Sequence, residues 1–475
     1  MPTSIPASST ASFLGSEQKV LGWNRQPREP WSEIVLEAAH YLQDLVRIDT
    51  SNPPGNERPG AEYLAEVLDR NGVQSELVGP LPHRTSLIAR ARGKGRLRPL
   101  LLVSHLDVVP APTSGWSVHP FCGLLKDGFV WGRGAMDCKY RAVTHAMILM
   151  LLNRNRISLK RDVIIAACAD EEAGGKLGME WLAANHLDKI DAEFVLGEGG
   201  GGEIPTPTGR FCALGTGEKS SYNLTIIVRG LGGHTLRTRP GNALLKLGHV
   251  LGALENPHLS SELAASVSLL IESIARHQHD PLQSVLKALL SDSSRDAAMA
   301  QLVHISPELS RWLEPSIYNL IATTMVSGGV SPHAYPTEVR LDCNVRLLPG
   351  SRIKDAIEIV RSRLKGIDDV EIDGIEEEAY ASESSTETLL YHTIKNVLQE
   401  AQSDTTVVPW LLGGATDVRF LRQPGRAVYG FFPSLVDLPF HEWMSITHGV
   451  DERVSLRNLE WAIRVFYELV LRICT

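Results

Sequence analysis

Three short clusters of acid and imidazole stand directly behind apolar runs. They are Ser104-His105-Leu106-Asp107 at the end of the run 99–104, Asp170-Glu171-Glu172-Ala173-Gly174-Gly175 after 162–169, and Gly197-Glu198-Gly199-Gly200 after 192–196. A fourth, Gly132-Arg133-Gly134-Ala135-Met136-Asp137, puts an acid at the mouth of a glycine-rich turn that leads into a helical pattern. Imidazole with several carboxylates, and no thiolate, is a donor set for Zn²⁺ or another borderline divalent cation. Each cluster alone has a plainer reading. A run of acids offsets the dipole of a helix N-terminus, glycine pairs make turns, and a lone HxD is an ordinary loop. The conjunction of four such clusters, all at strand-to-helix junctions, points to a metal site.

The elements that must position these clusters alternate from Trp31 onward. Segments 99–104, 162–169 and 192–196 read as strands, and 137–152 and 176–185 as helices, so the expected fold class is α/β with a mostly parallel sheet. Open sheets of this kind place ligand sites at the carboxyl ends of their strands, which brings the loops to one edge. Near Gly217 the pattern changes. Strand 222–229, helix 242–254, strands 318–326 and 337–347, helix 351–364 and strand 370–375 give β-α-β-β-α-β, the order of a ferredoxin-like α+β unit. It carries a helical insertion over about 258–317. After 381 the α/β character returns through 389–401, 427–431 and a closing helix over 455–473. The expectation is therefore a catalytic domain, 31–217 and 381–475, interrupted by a smaller domain, 218–380. Residues 1–30, rich in Ser, Pro and Thr without periodicity, read as a flexible arm.

Composition narrows the partners. The 475 residues are 43% hydrophobic and 21% charged, ordinary globular usage. Lys and Arg number 47 against 55 Asp and Glu, a net charge of −8 with no basic run, which excludes a nucleic-acid binder. No apolar run approaches the ~20 residues that span a bilayer, so no membrane partner is expected. The N-terminus lacks the pattern of a secretory signal. Six scattered cysteines without a CxxC pair suit a reducing compartment, and the expected location is cytoplasmic.

Taken in order, SHLDVVP, GRGAMDCK, ADEEAGG, GEGGG, GLGGHTLRTRP and HGVDE resemble the dinuclear-zinc metallopeptidase and amidohydrolase family. Its members include aminoacylase-1, acetylornithine deacetylase, succinyl-diaminopimelate desuccinylase, carnosinase and bacterial glutamate carboxypeptidase. The resemblance runs from about residue 35 to 473 and implies a zinc-peptidase-like catalytic domain with a ferredoxin-like lid through which two copies dimerise. It implies two Zn²⁺, with Co²⁺ or Mn²⁺ as alternatives: His105 and Glu198 on one, Glu172 and His448 on the other, Asp137 bridging. Asp107 would stand behind His105. Glu171 would be the general base toward a metal-bound hydroxide, and His234 would steady the oxyanion. Arg346 matches an arginine that clamps a substrate carboxylate. His333, thirteen positions earlier, stands where relatives carry Asn, and Gly414 lies in a Gly-Gly-x-x-Asp loop that lines the pocket. Cys138 and Tyr140 depart from the family pattern beside the bridging acid. His441, seven residues before His448, reads as a surface or capping residue.

The implied activity is hydrolysis of an amide bond next to a free carboxylate, with an N-acyl amino acid as the expected substrate. Glu at 198 is the acid that deacylases of the family carry there, whereas several of its peptidases carry Asp. The alternatives are a dipeptidase or carboxypeptidase, the same chemistry run as amide synthesis, and a non-catalytic binding protein on the same fold.

Overall fold

The apolar run Leu100–Val103 has no polar face to give to water and is buried on both sides. The computed structural model, which describes Trp23 and residues 25–475 apart from 260, 261 and 380, places this run at the centre of the main sheet. The first strands of that sheet are β1 (Ser75–Leu81), β2 (Arg84–Ala91), β3 (Leu97–His105), β4 (Arg161–Cys168), β5 (Phe194–Gly197) and β6 (Arg210–Glu218). Parallel pairing of β3 with both β4 and β5 sets Leu102 beside Ile165 and Leu196. The carboxyl ends of three adjacent strands, carrying His105, Glu171–Glu172 and Glu198, thereby open on the same edge.

Beyond Lys219 the chain passes into a second sheet. Its main strands are β7 (Ser220–Arg229), β8 (Asn319–Gly328), β9 (Glu338–Leu347) and β10 (Val370–Ala379), with helices Ala243–Ala253 and Ile353–Arg363 between them. The spatial order β8-β9-β7-β10, antiparallel throughout, is that of a ferredoxin-like unit. It encloses its own core of Leu224, Ile226, Val250, Leu341 and Val360.

Two later strands, β11 (Thr405–Leu412) and β12 (Ala427–Gly430), join the main sheet, whose order is β1-β2-β4-β3-β5-β12-β6, with β11 and the two-residue strand Ser382–Glu383 both beside β6. The centre is parallel, while β1, β2 and the β12–β6 pair are antiparallel, so the sheet as a whole is mixed. Helix Lys139–Arg154 is buried on nearly all sides, between the sheet and helices Trp31–Arg47 and Leu456–Cys474.

Three expectations shift. The helix expected over 176–185 begins only at Met179, because Glu171–Ala173 forms a 3₁₀ turn that ends in Gly174 and Gly175, both in the left-handed region. The insertion forms four helices between Ala265 and Ile317, and their apolar faces pack on Phe211, Ala213, Val408 and Leu411 of β6 and β11. It thus belongs to the core of the main sheet. At the N-terminus the chain is docked from Trp23: this indole is buried in the main core, and Arg25 Nη1 donates to Thr475 Oγ1 at 2.7 Å. Residues 1–22, the greater part of the expected arm, lie outside the described residues.

Candidate metal centre

His105 is the last residue of β3, and its ring is buried. Its Nε2 lies 3.2 Å from Asp137 Oδ1, 3.7 Å from Glu198 Oε2 and 4.0 Å from Glu171 Oε2. Across the same acid, His448 Nε2 lies 3.2 Å from Asp137 Oδ2 and 3.3 Å from Glu172 Oε1. Two donor groups therefore share Asp137, one oxygen facing each: His105, Asp137, Cys138 and Glu198 in one, and Asp137, Glu172 and His448 in the other. Asp137, Glu172 and Glu198 thus gather three carboxylates, largely out of water, around two imidazoles. Such a concentration of acid calls for cations, and the donor types suit a pair of divalent ones. The acids act on the imidazoles accordingly. Hydrogen bonds with Asp137 and Glu172 push His448 up to about 10. Burial works against the same effect at His105, yet Cys138, Glu198, Asp107 and Asp137 together raise it well above the usual imidazole range.

The acids are aimed by contacts of long sequence separation. Asp107 accepts from Glu171 N at 3.1 Å, Glu172 N at 3.0 Å and Asn52 Nδ2 at 2.8 Å. It was expected to stand behind His105, but the closer partner of His105 Nδ1 is the Asp107 carbonyl, at 2.9 Å, with the carboxylate 3.5 Å away. The carboxylate chiefly organises the Glu171–Glu172 turn. Asp170, just before that turn, sits at φ 72°. For a residue with a Cβ this conformation costs about 1–2 kcal/mol, and Arg84, Asn52 and Leu177 N hold the Asp170 carboxylate in place. Glu452 accepts from Met136 N and Asp137 N at 2.8 and 2.9 Å and from Arg133 at 2.6 Å, while Arg133 also donates to the His448 carbonyl. One buried ion pair thus fixes both the bridging acid and the second histidine. Arg141 Nη1 lies 2.5 Å from Glu198 Oε2.

Glu171 is near the donors of the first group, and only 12% of its side chain is exposed. Burial, then the charge of Glu198, raises its carboxyl well above the usual range.

The remaining sequence candidates lie on other elements. His234 pairs with Ala334 in a two-residue ribbon of the smaller domain; it is exposed, and its Nδ1 accepts from Leu236 N. His333 is on the facing side of that ribbon, where its carbonyl accepts from Thr235 N at 3.1 Å. Neither is in the two donor groups. Arg346 lies near the end of β9, opposite Ser221 of β7, with Nε donating to Asn344 Oδ1 at 2.7 Å. Gly414 has open space where a Cβ would go. Three residues on, both carboxylate oxygens of buried Asp417 lack hydrogen-bond partners, and burial pushes its pKa up to about 8. Gly175 is obligatory opposite it, since a Cβ there would stand 2.6 Å from Asp417 Oδ1. Arg141, Asn52, Glu452 and Asp417 were missed by sequence reasoning. For three of them the signal was local: Arg141 stands four positions after Asp137, Glu452 lies in HGVDE and Asp417 lies in the Gly-Gly-x-x-Asp loop, whereas Asn52 lies in no motif.

An α/β sheet whose strand ends gather two imidazole–carboxylate groups around one shared acid is the frame of a metal-dependent hydrolase. The chain belongs to Peptidase family M20/M25/M40, which it matches over residues 101–472. It is similar to N-fatty-acyl-amino acid synthase/hydrolase PM20D1 of Mus musculus, 26% identical over 94% of this chain and 90% of the relative. Carboxypeptidase S of Saccharomyces cerevisiae is 25% identical over 79% of this chain and 72% of its own. In fold it is similar to an M20 family metallo-carboxypeptidase from Sulfolobus solfataricus, with a TM-score of 0.65 and 17% identity over 92% and 98% of the two chains. Human carnosine dipeptidase 1 follows at 0.60 and 15%, over 93% and 98%.

Proposed function

We propose that this hydrolase cleaves N-acyl amino acids, those with fatty acyl groups included, to a carboxylic acid and a free amino acid. Zn²⁺ is the proposed metal, held by His105, Asp137 and Glu198 on one side and Asp137, Glu172 and His448 on the other. The observation that carries the reading is the pair of donor groups sharing Asp137, with the Glu171 carboxyl beside them and outside both. When bound, such cations acidify water and polarise an amide carbonyl.

The chain's own residues do the rest. Glu171, buried beside Glu198 so that its affinity for a proton is raised, takes a proton from the attacking water in its ionised form and returns it to the departing amine. Asp107 and Asp170 keep its turn in place for both transfers. Arg346, oriented through Asn344, offers a planar pair of donors to the free carboxylate of the substrate. His234 supplies a donor to the charge developing on the carbonyl oxygen, with His333 beside it as a substrate contact. The pocket-lining loop at Gly414 leaves room for substrate.

His234 is exposed in the single chain, which supports a homodimer built through the smaller domain. In that domain Met325 and Val326 of β8, and Leu244 and Leu245 of helix Ala243–Ala253, are also exposed. The six cysteines are free, which supports a cytoplasmic location. Similarity to Carboxypeptidase S favours one second reading, a carboxypeptidase or dipeptidase using the same centre. The name of the mouse relative also joins hydrolysis to synthesis, and a centre that lowers the barrier in one direction lowers it in the other. A panel of N-acyl amino acids and dipeptides, assayed on metal-reconstituted protein by release of free amino acid, tests the proposal. Turnover of the acylated substrates is expected. Turnover of dipeptides alone would favour the second reading, and turnover of neither would contradict both.

A further inference from the structure

The His105 half of the centre contains a donor that a search for acids and imidazoles passes over. Cys138 directly follows the bridging Asp137 and is fully buried. Its Sγ and the donor atoms of His105, Asp137 and Glu198 all lie within 4.8 Å of one another. Among the described residues, the half formed by Asp137, Glu172 and His448 includes no sulfur. Arg141 packs its guanidinium behind the first half only. Its Nη1 is 2.5 Å from Glu198 Oε2, 3.8 Å from Asp137 Oδ1 and 3.7 Å from Cys138 Sγ. A fixed cation there offsets the negative charge that a sulfur donor would add to two carboxylates.

We propose that Cys138 is itself a metal ligand, joining His105, Asp137 and Glu198 on one cation and making the two halves of the centre chemically unequal. The distances allow it. A zinc–sulfur bond of about 2.3 Å and a zinc–nitrogen bond of about 2.0–2.1 Å put two donors on one tetrahedral ion roughly 3.6 Å apart. Side-chain movements of up to about an ångström bring the four donor atoms from their present separations onto one ion. The thiol proton leaves to solvent as the cation binds, as at other thiolate sites. One half then offers nitrogen, two oxygens and sulfur, the other nitrogen and two oxygens. The softer set favours Zn²⁺ or Co²⁺ over Mn²⁺. Cys168, at the end of β4 and paired in register with His105, is the nearest rival thiol and is outside the donor group.

The proposal rests on the metal-centre reading above, and cobalt separates the two. Wild-type protein loaded with Co²⁺ is expected to bind two ions and to show a sulfur-to-cobalt charge-transfer band in the near ultraviolet. The band should vanish in Cys138→Ser and persist in Cys168→Ser. X-ray absorption of the wild-type zinc protein provides a readout that needs no variant: one sulfur at about 2.3 Å shared between two zinc ions. Two bound ions with no band and no sulfur neighbour would overturn the proposal and leave the metal centre standing. A band that follows Cys168 would overturn it too. Protein that binds no cobalt would overturn both.

Discussion

Glu171 and Glu172 are consecutive and chemically identical, and they differ in what they touch. Glu172 Oε1 faces His448 at 3.3 Å inside a donor group, whereas Glu171 stands outside both groups with its nearest imidazole nitrogen 4.0 Å away. The roles proposed for them follow from that difference. Glu171→Gln should lower kcat by roughly 10²–10⁴, the range of general acid–base catalysis, while metal content measured by atomic absorption stays unchanged. A variant that loses metal along with activity would make Glu171 a ligand instead. The residue types were legible in the sequence because each acid or imidazole ends a recognisable apolar strand. Their aiming was not. Asn52 reaches Asp107 across 55 positions and Glu452 reaches Asp137 across 315, and spacing along the chain carries no record of such contacts. Cys138 was legible as a departure from the family pattern but not as a donor, since only the fold shows its sulfur on the same side as His105.

At the scale of elements, helix Lys139–Arg154 ties the bridging acid at its start to the core along its length. His145 lies in its middle, edge-on to Phe466 with ring centroids 5.2 Å apart, and neither ring nitrogen has a partner. Burial, then the charge of Arg141, pushes its pKa down to about 3, against about 6.5 in an unfolded chain. Between those values the unfolded state binds more protons than the folded state. Stability therefore rises with pH across this window and is lost as pH falls through it, by about 1.4 kcal/mol per unit. From pH 7 to pH 5 the loss from this one group is about 2 kcal/mol. Urea unfolding of the metal-free protein should show His145→Phe with a shallower loss than wild type over that interval. Equal slopes would mean that the imidazole is hydrated in the folded state. The sequence disclosed this helix, and the four helices of the insertion as well, through their apolar content. It did not disclose their partners, because an apolar face names no counterpart. The insertion meets β11 of the main sheet: Trp312 stacks on Trp410 at 5.1 Å, and Ser316 Oγ donates to the Leu411 carbonyl at 2.7 Å. Those contacts brace the strand that leads into the Gly413–Asp417 loop.

For the whole molecule, the consequential feature is the division of the proposed machinery between two parts of the fold. His105, Glu171, Glu172 and Glu198 stand at the strand ends of the main sheet, while His234, on its short ribbon, and Arg346, on β9, belong to the smaller domain, and β6 leads into β7 through Lys219. The β-α-β-β-α-β order made the smaller sheet legible in advance, because that order allows few antiparallel arrangements. The mixed flanks of the main sheet were less so: the β1–β2 hairpin is a local pairing that a reading of alternating strands and helices does not capture. If His234 acts across a dimer, His234→Ala should lower kcat by roughly 10²–10³, as removal of an oxyanion donor does. A charge at an exposed position of β8, Met325→Glu, should lower activity in step with dissociation followed by size-exclusion chromatography. Full activity in a monomeric Met325→Glu protein would place the catalytic apparatus within one chain.

The central claim is that the two donor groups around Asp137 hold two cations on which amide hydrolysis depends. A single titration tests it: metal-free protein is given increasing equivalents of Zn²⁺, and bound metal and hydrolysis of an N-acyl amino acid are followed together. Saturation at two ions per chain is expected, with hydrolysis appearing as the centre fills and disappearing on chelation. Hydrolysis that persists in metal-free protein, or saturation with no ion bound at Asp137 as judged by unchanged stoichiometry in Asp137→Ala, would contradict it.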